Sequence, residues 1–334
     1  MAEIDAWKTS SDEEEADDLF SEEGDDDQVK GKKEKAQEEM KEAGMLLVSG
    51  SEWKDKLKET LIQASKDKAP KSPDFSNAVK EVERAGKATC LVRRKTNGNS
   101  RLERLENMKD KEALKKAKNG KGGTGTGFLM FPKHGKCGWL VITNNHVIMD
   151  EDEAESAEVI FDHLDDDSLN QTKKFKVKKL VSKDIPTKNA KDLTSLDFSV
   201  LALESGDKDE DYLKNCAMPF EETARVNACT NETMLNLCGL QFTPIIAFSH
   251  GHGLGKRFSI GKFPDKCEDY PTAHIKHSLP TARGSSGANL IVALPNIKPL
   301  FVDWGAAFVH YRHGCAVAWQ VIGPVVRKDF SSHE

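Results

Sequence analysis

The sequence predicts an all-β fold: two antiparallel six-stranded β-barrels behind a disordered, charged N-terminal extension. Three observations carry that prediction. Short apolar, β-branched segments alternating with Gly, Asn, Asp and Pro fill the chain from Gly125 onward. They fall into two consecutive series, of about six segments each, with no strong helical pattern between them. Charged residues make up 31% and hydrophobic ones only 37%, so part of the length does not join a core.

Residues 1 to 50 are acidic and then mixed in charge, with little to bury, and read as disordered. Residues 11–28 hold acids and no base, whereas 92–122 is rich in Lys and Arg; the net charge of -6 hides this asymmetry. Trp53, Leu57, Leu61 and Ile62 recur at helical spacing, predicting a short helix over 51–66, and Pro70 and Pro73 then break the chain. A second short helix over 75–85 leads into the first strand, 88–93. The division is 1–74 as charged extension, 75–210 as first barrel with a basic loop insertion at 95–123, and 211–334 as second barrel. The insertion lacks apolar periodicity and reads as a long surface loop with one helical piece at 103–118.

The first series comprises 127–131, 138–143, 157–161, 174–181 and 198–203. After a polar connection at 204–213, the second comprises 222–227, 234–237, 244–249, 256–261, 288–292, 306–309 and 317–322. Removal of residues 1–50 is expected to leave this core folded. The N-terminus has no apolar stretch behind a basic start, which predicts no secretory signal. No run approaches the roughly 20 apolar residues of a membrane span. Seven cysteines without zinc-like spacing, an odd number, read as reduced thiols and a cytoplasmic or nuclear location.

The residues bearing chemistry stand at strand ends. Leu-Val-Ile-Thr-Asn-Asn-His-Val-Ile (140–148) ends an apolar run in His146; Leu-Asp-Phe-Ser-Val-Leu (196–201) puts Asp197 at the head of another. Thr-Ala-Arg-Gly-Ser-Ser-Gly (281–287) sets Ser286 in a Gly-x-Ser-Gly turn, and Gly-Thr-Gly-Phe-Leu (125–129) precedes His146 by about twenty residues. The chain order is His, Asp, Ser, at separations of about 50 and about 90 residues. Asp162, Asp165, Asp166 and Asp167 are rival acids, but they fall in an acidic turn rather than at a strand start.

These four blocks resemble trypsin-like (chymotrypsin-fold) serine proteases, in the intracellular and bacterial-type branch with the glutamyl endopeptidases and high-temperature-requirement proteases. The resemblance covers roughly residues 86–326 and implies a chymotrypsin-like double barrel with the active site between the barrels. His146 and Asp197 would come from the first barrel and Ser286 from the second. A serine hydroxyl needs a base to take its proton; imidazole can take it and return it, and a buried carboxylate fixes the tautomer. Gly284 and Ser286 would give backbone N–H groups to the oxyanion, each such donor worth about 3 kcal/mol. Gly284 and Gly287 allow the turn torsions that a side chain resists.

Gly287-Ala288-Asn289 departs from the Gly-Gly-Pro or Gly-Ser-Pro usual after the serine. No Ile-Val-Gly-Gly start precedes Ala88, so activation by that cleavage is not expected, and the oxyanion turn must be held by other contacts or by a separate event. By resemblance, Thr281, Phe308 and His310 are the substrate-binding positions. The hydroxyl and imidazole would suit an acidic side chain, and Phe308 with Tyr311 would equally frame an apolar pocket.

The expected function is therefore serine endopeptidase, acting on protein or peptide substrates, with no cofactor, no metal and no membrane. The alternative is a latent protease-fold scaffold binding peptides or partners through its cleft and charged tails; the presence of all three triad residues favours the enzyme. Nucleic-acid binding through 109–121 is disfavoured, since no aromatic is interleaved among the basic residues. Ser249-His250-Gly251-His252-Gly253, with His310 and His313, has metal-like spacing but reads as loop structure. The substrate preference and oligomeric state are not legible.

Overall fold

The computed structural model describes residues 16–17, 26–65, 76–108, 111–119, 122–134, 138–166, 172–184, 197–219, 244–262, 274–292, 308–310 and 315–318. The chain enters through β1 (Ala16–Asp17), α1 (Asp26–Glu42), β2 (Leu46–Leu47), α2 (Glu52–Ser65) and α3 (Ser76–Ala88). In α2, Trp53, Leu57 and Leu61 repeat every four residues and so share one helix face. All three are buried, with Val82, Ala85 and Ala88, against Ile246, Phe248, Phe258 and Ile291. Trp53 meets the Phe248 ring edge-on at 5.5 Å, and its indole N–H donates to the Val48 carbonyl at 3.1 Å. Gly86 lets α3 lie on the Phe248 ring, where a Cβ would come within 3.0 Å of it.

The first sheet follows: β3 (Thr89–Arg94), α4 (Asn99–Met108), α5 (Lys111–Lys118), β4 (Gly123–His134), β5 (Gly138–Thr143), α6 (Glu151–Ser156), β6 (Glu158–Phe161), β7 (Lys173–Asp184) and β8 (Phe198–Leu203). The strands pair in the order β4-β3-β6-β7-β8-β5, and β5 returns to β4, closing a six-stranded antiparallel barrel. Closure leaves no free edge in the ring. The interior holds Leu129, Trp139, Val141, Val159, Phe161, Phe175 and Leu201, with α7 (Glu210–Cys216) contributing Leu213 and Cys216. β1 and β9 (Met218–Pro219) extend β4 outside the ring.

The second sheet is built from β10 (Pro244–Ser249), β11 (Arg257–Lys262), β12 (His274–Lys276), β13 (Asn289–Val292), β14 (Phe308–His310) and β15 (Cys315–Ala318), together with β2. Its order is β12-β15-β14-β13-β10-β11-β2, an open seven-stranded path among the described residues. The expected six-stranded second barrel is seen here only as this path, and Leu46 and Leu47 from the extension pair with β11 at its end. The predicted strands at 222–227 and 234–237 lie outside the described residues. No helix among the described residues is long and apolar enough to cross a membrane.

Two expectations differ from the structure. Within residues 1–50, read as disordered, α1 is helical and Met40 and Met45 are buried, whereas α2 coincides with the helix predicted over 51–66. α1 escaped the pattern because its anchors are few and mostly polar: Lys33 Nζ and Gln37 Nε2 donate to the carbonyl and carboxylate of Asp166. The 95–123 insertion, read as a surface loop with one helical piece at 103–118, holds two helices, α4 and α5, and Arg101 within it is buried. Its cations answer acids elsewhere: Arg101 pairs with Glu153 at 2.5 Å, and Lys95 with Glu158 at 2.6 Å.

Burial works to raise the Glu153 pKa, yet the Arg101 charge and hydrogen bond, with Arg94 and the Met149 N–H, outweigh it and hold the carboxyl below the usual range. A depressed folded pKa stabilises above the unfolded value of about 4.3, and that stability drains as pH falls through the lowered one. Glu153→Gln should cost about 3–5 kcal/mol near neutral pH and flatten the pH dependence of unfolding below about pH 4.3, read by denaturant titration. Leu57→Ala should cost about 2–5 kcal/mol in the same assay, with the barrel and extension unfolding together.

Candidate active site

The His146 loop begins where β5 ends. Thr143 pairs with Ser199 of β8, so Asp197, one residue before β8, lies beside the turn that carries His146. The two asparagines of the Asn-Asn-His motif lock this meeting. Asn144 Nδ2 and the Asn145 N–H both donate to the Asp197 carbonyl, at 2.8 and 3.1 Å. Asn145 Nδ2 reaches Ser199 Oγ at 3.1 Å, and that hydroxyl donates to the Ile148 carbonyl. Asp197 itself takes φ 43°, a left-handed conformation that aspartate tolerates better than most side chains.

The result is a carboxylate used twice by one residue. Asp197 Oδ1 accepts the His146 backbone N–H at 3.0 Å, and Oδ2 meets the ring Nδ1 at 2.6 Å. Asp197 is 1% exposed and the His146 side chain 13%. An ionised carboxylate only accepts, so Nδ1 carries a proton, and in the neutral ring Nε2 is then the basic nitrogen. That is the tautomer a general base requires.

Behind the loop, α4 supplies a grip that sequence reasoning missed. Arg101 Nη2 donates to the carbonyls of His146 and Val147, at 2.9 and 3.2 Å, and Arg94 Nη1 donates to Val147 at 2.9 Å. Glu153 pairs with Arg101 at 2.5 Å, lies 3.9 Å from Arg94 and accepts the Met149 N–H at 2.8 Å. Asp150 caps α6 by accepting the Glu153 N–H, which sets Glu153 in place. The only sequence signal was the acid-rich helix start after Met149, facing a basic insertion.

The serine turn is seated on β4. The Thr126 N–H donates to the Ser286 carbonyl at 2.8 Å, and Thr126 Oγ1 donates to the Gly284 carbonyl at 2.7 Å. Thr143 Oγ1 donates to the Thr126 carbonyl, tying the seat to the strand that leads into His146. Gly284 and Gly287 take φ 85° and 89°. A Cβ on Gly287 would run into the Thr126 carbonyl, so glycine is required by space as well as by torsion. Among the described residues, no acceptor takes the N–H of Gly284 or Ser286. Ser286 is partly exposed, whereas Ser285 is buried and donates to Ser249 Oγ at 3.1 Å.

Thr281 opens the turn and is half-buried. Phe308 and His310 lie on β14, whose neighbour β13 leaves the serine turn; Phe308 pairs with Leu290. Two of the rival acids serve other ends: Asp162 accepts the Tyr212 hydroxyl, and Asp166 pairs with Arg257 at 2.7 Å, while Asp167 lies outside the described residues. His250 and His252 lie in a tight turn rather than on a strand; His250 Nδ1 contacts the Leu254 carbonyl and its ring stacks on His163. Among the described residues no cluster of three or more His, Cys, Asp or Glu could hold a metal.

Comparison with solved structures gives the serine endoprotease from Yersinia pestis, at 14% identity and TM-score 0.45, covering 80% of this chain and 70% of that one. A second is the HtrA-type protease AlgW with tripeptide, at 13% identity and TM-score 0.42, covering 78% of this chain and 65% of that one. Comparison with curated protein sequences finds no match. The family model for the trypsin-like peptidase domain matches residues 125–293, just over half of the chain, and that span includes His146, Asp197 and the serine turn. This chain belongs to the trypsin-like peptidase family.

Proposed function

We propose that the protein is a serine endopeptidase with His146, Asp197 and Ser286 as its triad. The observation that carries the reading is the His146–Asp197 pair, in which a buried carboxylate holds both the ring Nδ1 and the backbone N–H of the same residue. In this reading Ser286 Oγ attacks the scissile carbonyl carbon while His146 Nε2 takes its proton. The carbonyl oxygen becomes an oxyanion received by the Gly284 and Ser286 N–H groups. The intermediate collapses as His146 returns the proton to the leaving amine, and an acyl group stays on Ser286. Water, deprotonated by His146, then attacks that ester and releases the acid.

Asp197 acts by orientation and charge. With both oxygens occupied by His146, the ring cannot turn to present Nδ1 to the serine, and imidazolium forming during proton transfer is paired at once. Thr281, Phe308 and His310 are proposed to receive the substrate side chain, and closure of the second sheet into a barrel belongs to the same reading. Protein or peptide substrates follow from family membership. A reducing compartment, cytoplasm or nucleus, is also proposed; the buried free thiols Cys90 and Cys216 support it.

A fluorophosphonate probe should label the wild-type chain, and Ser286→Ala and His146→Ala should abolish labelling while circular dichroism stays unchanged. Asp197→Asn should slow labelling by about 10⁴-fold through loss of the correct tautomer. Undiminished labelling of folded Ser286→Ala would refute the assignment. Thr126→Val leaves the Gly284 carbonyl and the His250 N–H without their hydroxyl partner. It should cost about 1–3 kcal/mol in thermal unfolding and slow labelling as well.

A further inference from the structure

The Gly284 N–H can serve an oxyanion only if the Arg283–Gly284 peptide keeps one orientation. In a trans peptide the carbonyl and the following N–H point to opposite sides, so whatever grips the Arg283 oxygen also aims the Gly284 N–H. That grip is the His252 N–H, which donates to the Arg283 carbonyl at 2.5 Å. His252 holds φ 53° and ψ 21°, a left-handed conformation disfavoured for a residue with a side chain. Such a conformation persists only where its surroundings over-determine it.

Those surroundings come from α1. Met40 is fully buried, in a cluster with Ala36, Met45 and Leu254 against which Ala282 packs. A Cβ built on Gly251 would stand 2.5 Å from Met40 Sδ and 3.1 Å from the Ala282 methyl, so the helix, the His252 turn and the serine turn meet at one point. Next to Met40, Glu39 Oε2 lies 3.6 Å from His252 Nε2. Glu39 is 58% exposed, so this pair adds direction more than strength.

α1 is anchored independently of the turn. Lys33 Nζ reaches the Asp166 carbonyl at 2.8 Å and Gln37 Nε2 the Asp166 carboxylate at 2.7 Å. The same carboxylate takes the Gly255 N–H and Arg257 Nη2, each at 2.7 Å. The helix is thus fastened to the 161–166 segment after β6 and to the second sheet, and Met40 transmits that fixed position to residues 251 and 282.

We infer that α1 braces the oxyanion turn, with Met40 as its principal positioning residue and Glu39 as a secondary one; the inference rests on the peptidase reading above. Met40 touches no reacting atom. Its side chain holds the His252 turn, which holds the Arg283 carbonyl, which aims the Gly284 N–H. The extension would then be part of the catalytic apparatus.

The test uses the full-length protein and the concentration dependence of fluorophosphonate labelling, which separates the maximal acylation rate from half-saturation. The series is Met40→Leu, Met40→Val and Met40→Ala, each checked by circular dichroism. Met40→Ala should lower the maximal rate by about 10- to 100-fold, as a displaced donor does, with half-saturation changed by less than about twofold. Met40→Val, which keeps apolar bulk but withdraws the tip from Gly251 and Ala282, should fall between, and Met40→Leu should restore most of the rate. An unchanged maximal rate in folded Met40→Val and Met40→Ala, even with a lowered melting temperature, would overturn the inference and leave the peptidase reading standing. Failure of folded wild-type protein to label would overturn that reading, and the brace with it.

Discussion

Thr126 is the point at which the two halves of the site are joined. Its N–H and hydroxyl hold the Ser286 and Gly284 carbonyls, its hydroxyl accepts the His250 N–H, and its own carbonyl takes the Thr143 hydroxyl. Four hydrogen bonds converge on one fully buried residue of β4. Each would be costly to leave unmade in a dry interior, so serine turn, His250 segment and histidine strand share one register. Barrel closure supplies the other half of the constraint. Because β4 pairs with β5 and β5 with β8, the seat of the serine turn, the His146 loop and Asp197 are consecutive along one wall.

Around that seat the protein spends buried charge where the backbone has to be held. Arg94, Arg101 and Glu153 fasten the carbonyls and N–H groups of residues 146–149, and Asp166 with Arg257, Lys33 and Gln37 fastens α1. Neither cluster reads as a gain in stability over an apolar core, since desolvating ions offsets most of their attraction. What they provide is geometry: each guanidinium or carboxylate satisfies at least one backbone group, and Arg101 and Glu153 satisfy two apiece.

The first barrel's strands and the His146–Asp197 meeting were legible because they rest on local patterns. Alternating runs such as 138–143 and 198–203 coincide with β5 and β8. The glycines at 284 and 287 were legible as torsional needs, and both take positive φ. What the sequence concealed were partnerships across long separations. Arg101 lies in a polar, aperiodic stretch, and only its distance from Glu153 reveals a purpose. α1 has two buried residues, Ala36 and Met40, in a helix of charges, too few for periodicity to register. Thr126 stood within a quoted motif, yet nothing local distinguishes a threonine that seats a turn from one that merely fills a strand. The histidines at 250 and 252 have ligand-like spacing, yet the loop reading holds, since they stand in a tight turn.

The central claim is that Ser286 is the nucleophile and that the Gly284 and Ser286 N–H groups receive the oxyanion. Its most direct test is an experimental structure of the chain after reaction with a phosphonate inhibitor. The account predicts phosphorus bonded to Ser286 Oγ, with one phosphonyl oxygen within hydrogen-bonding distance of both N–H groups. It also predicts that the His146 ring remains on Asp197 and that the Arg283 carbonyl still accepts from His252. Phosphorus on another residue, or a phosphonyl oxygen turned away from the Gly284 N–H, would contradict it.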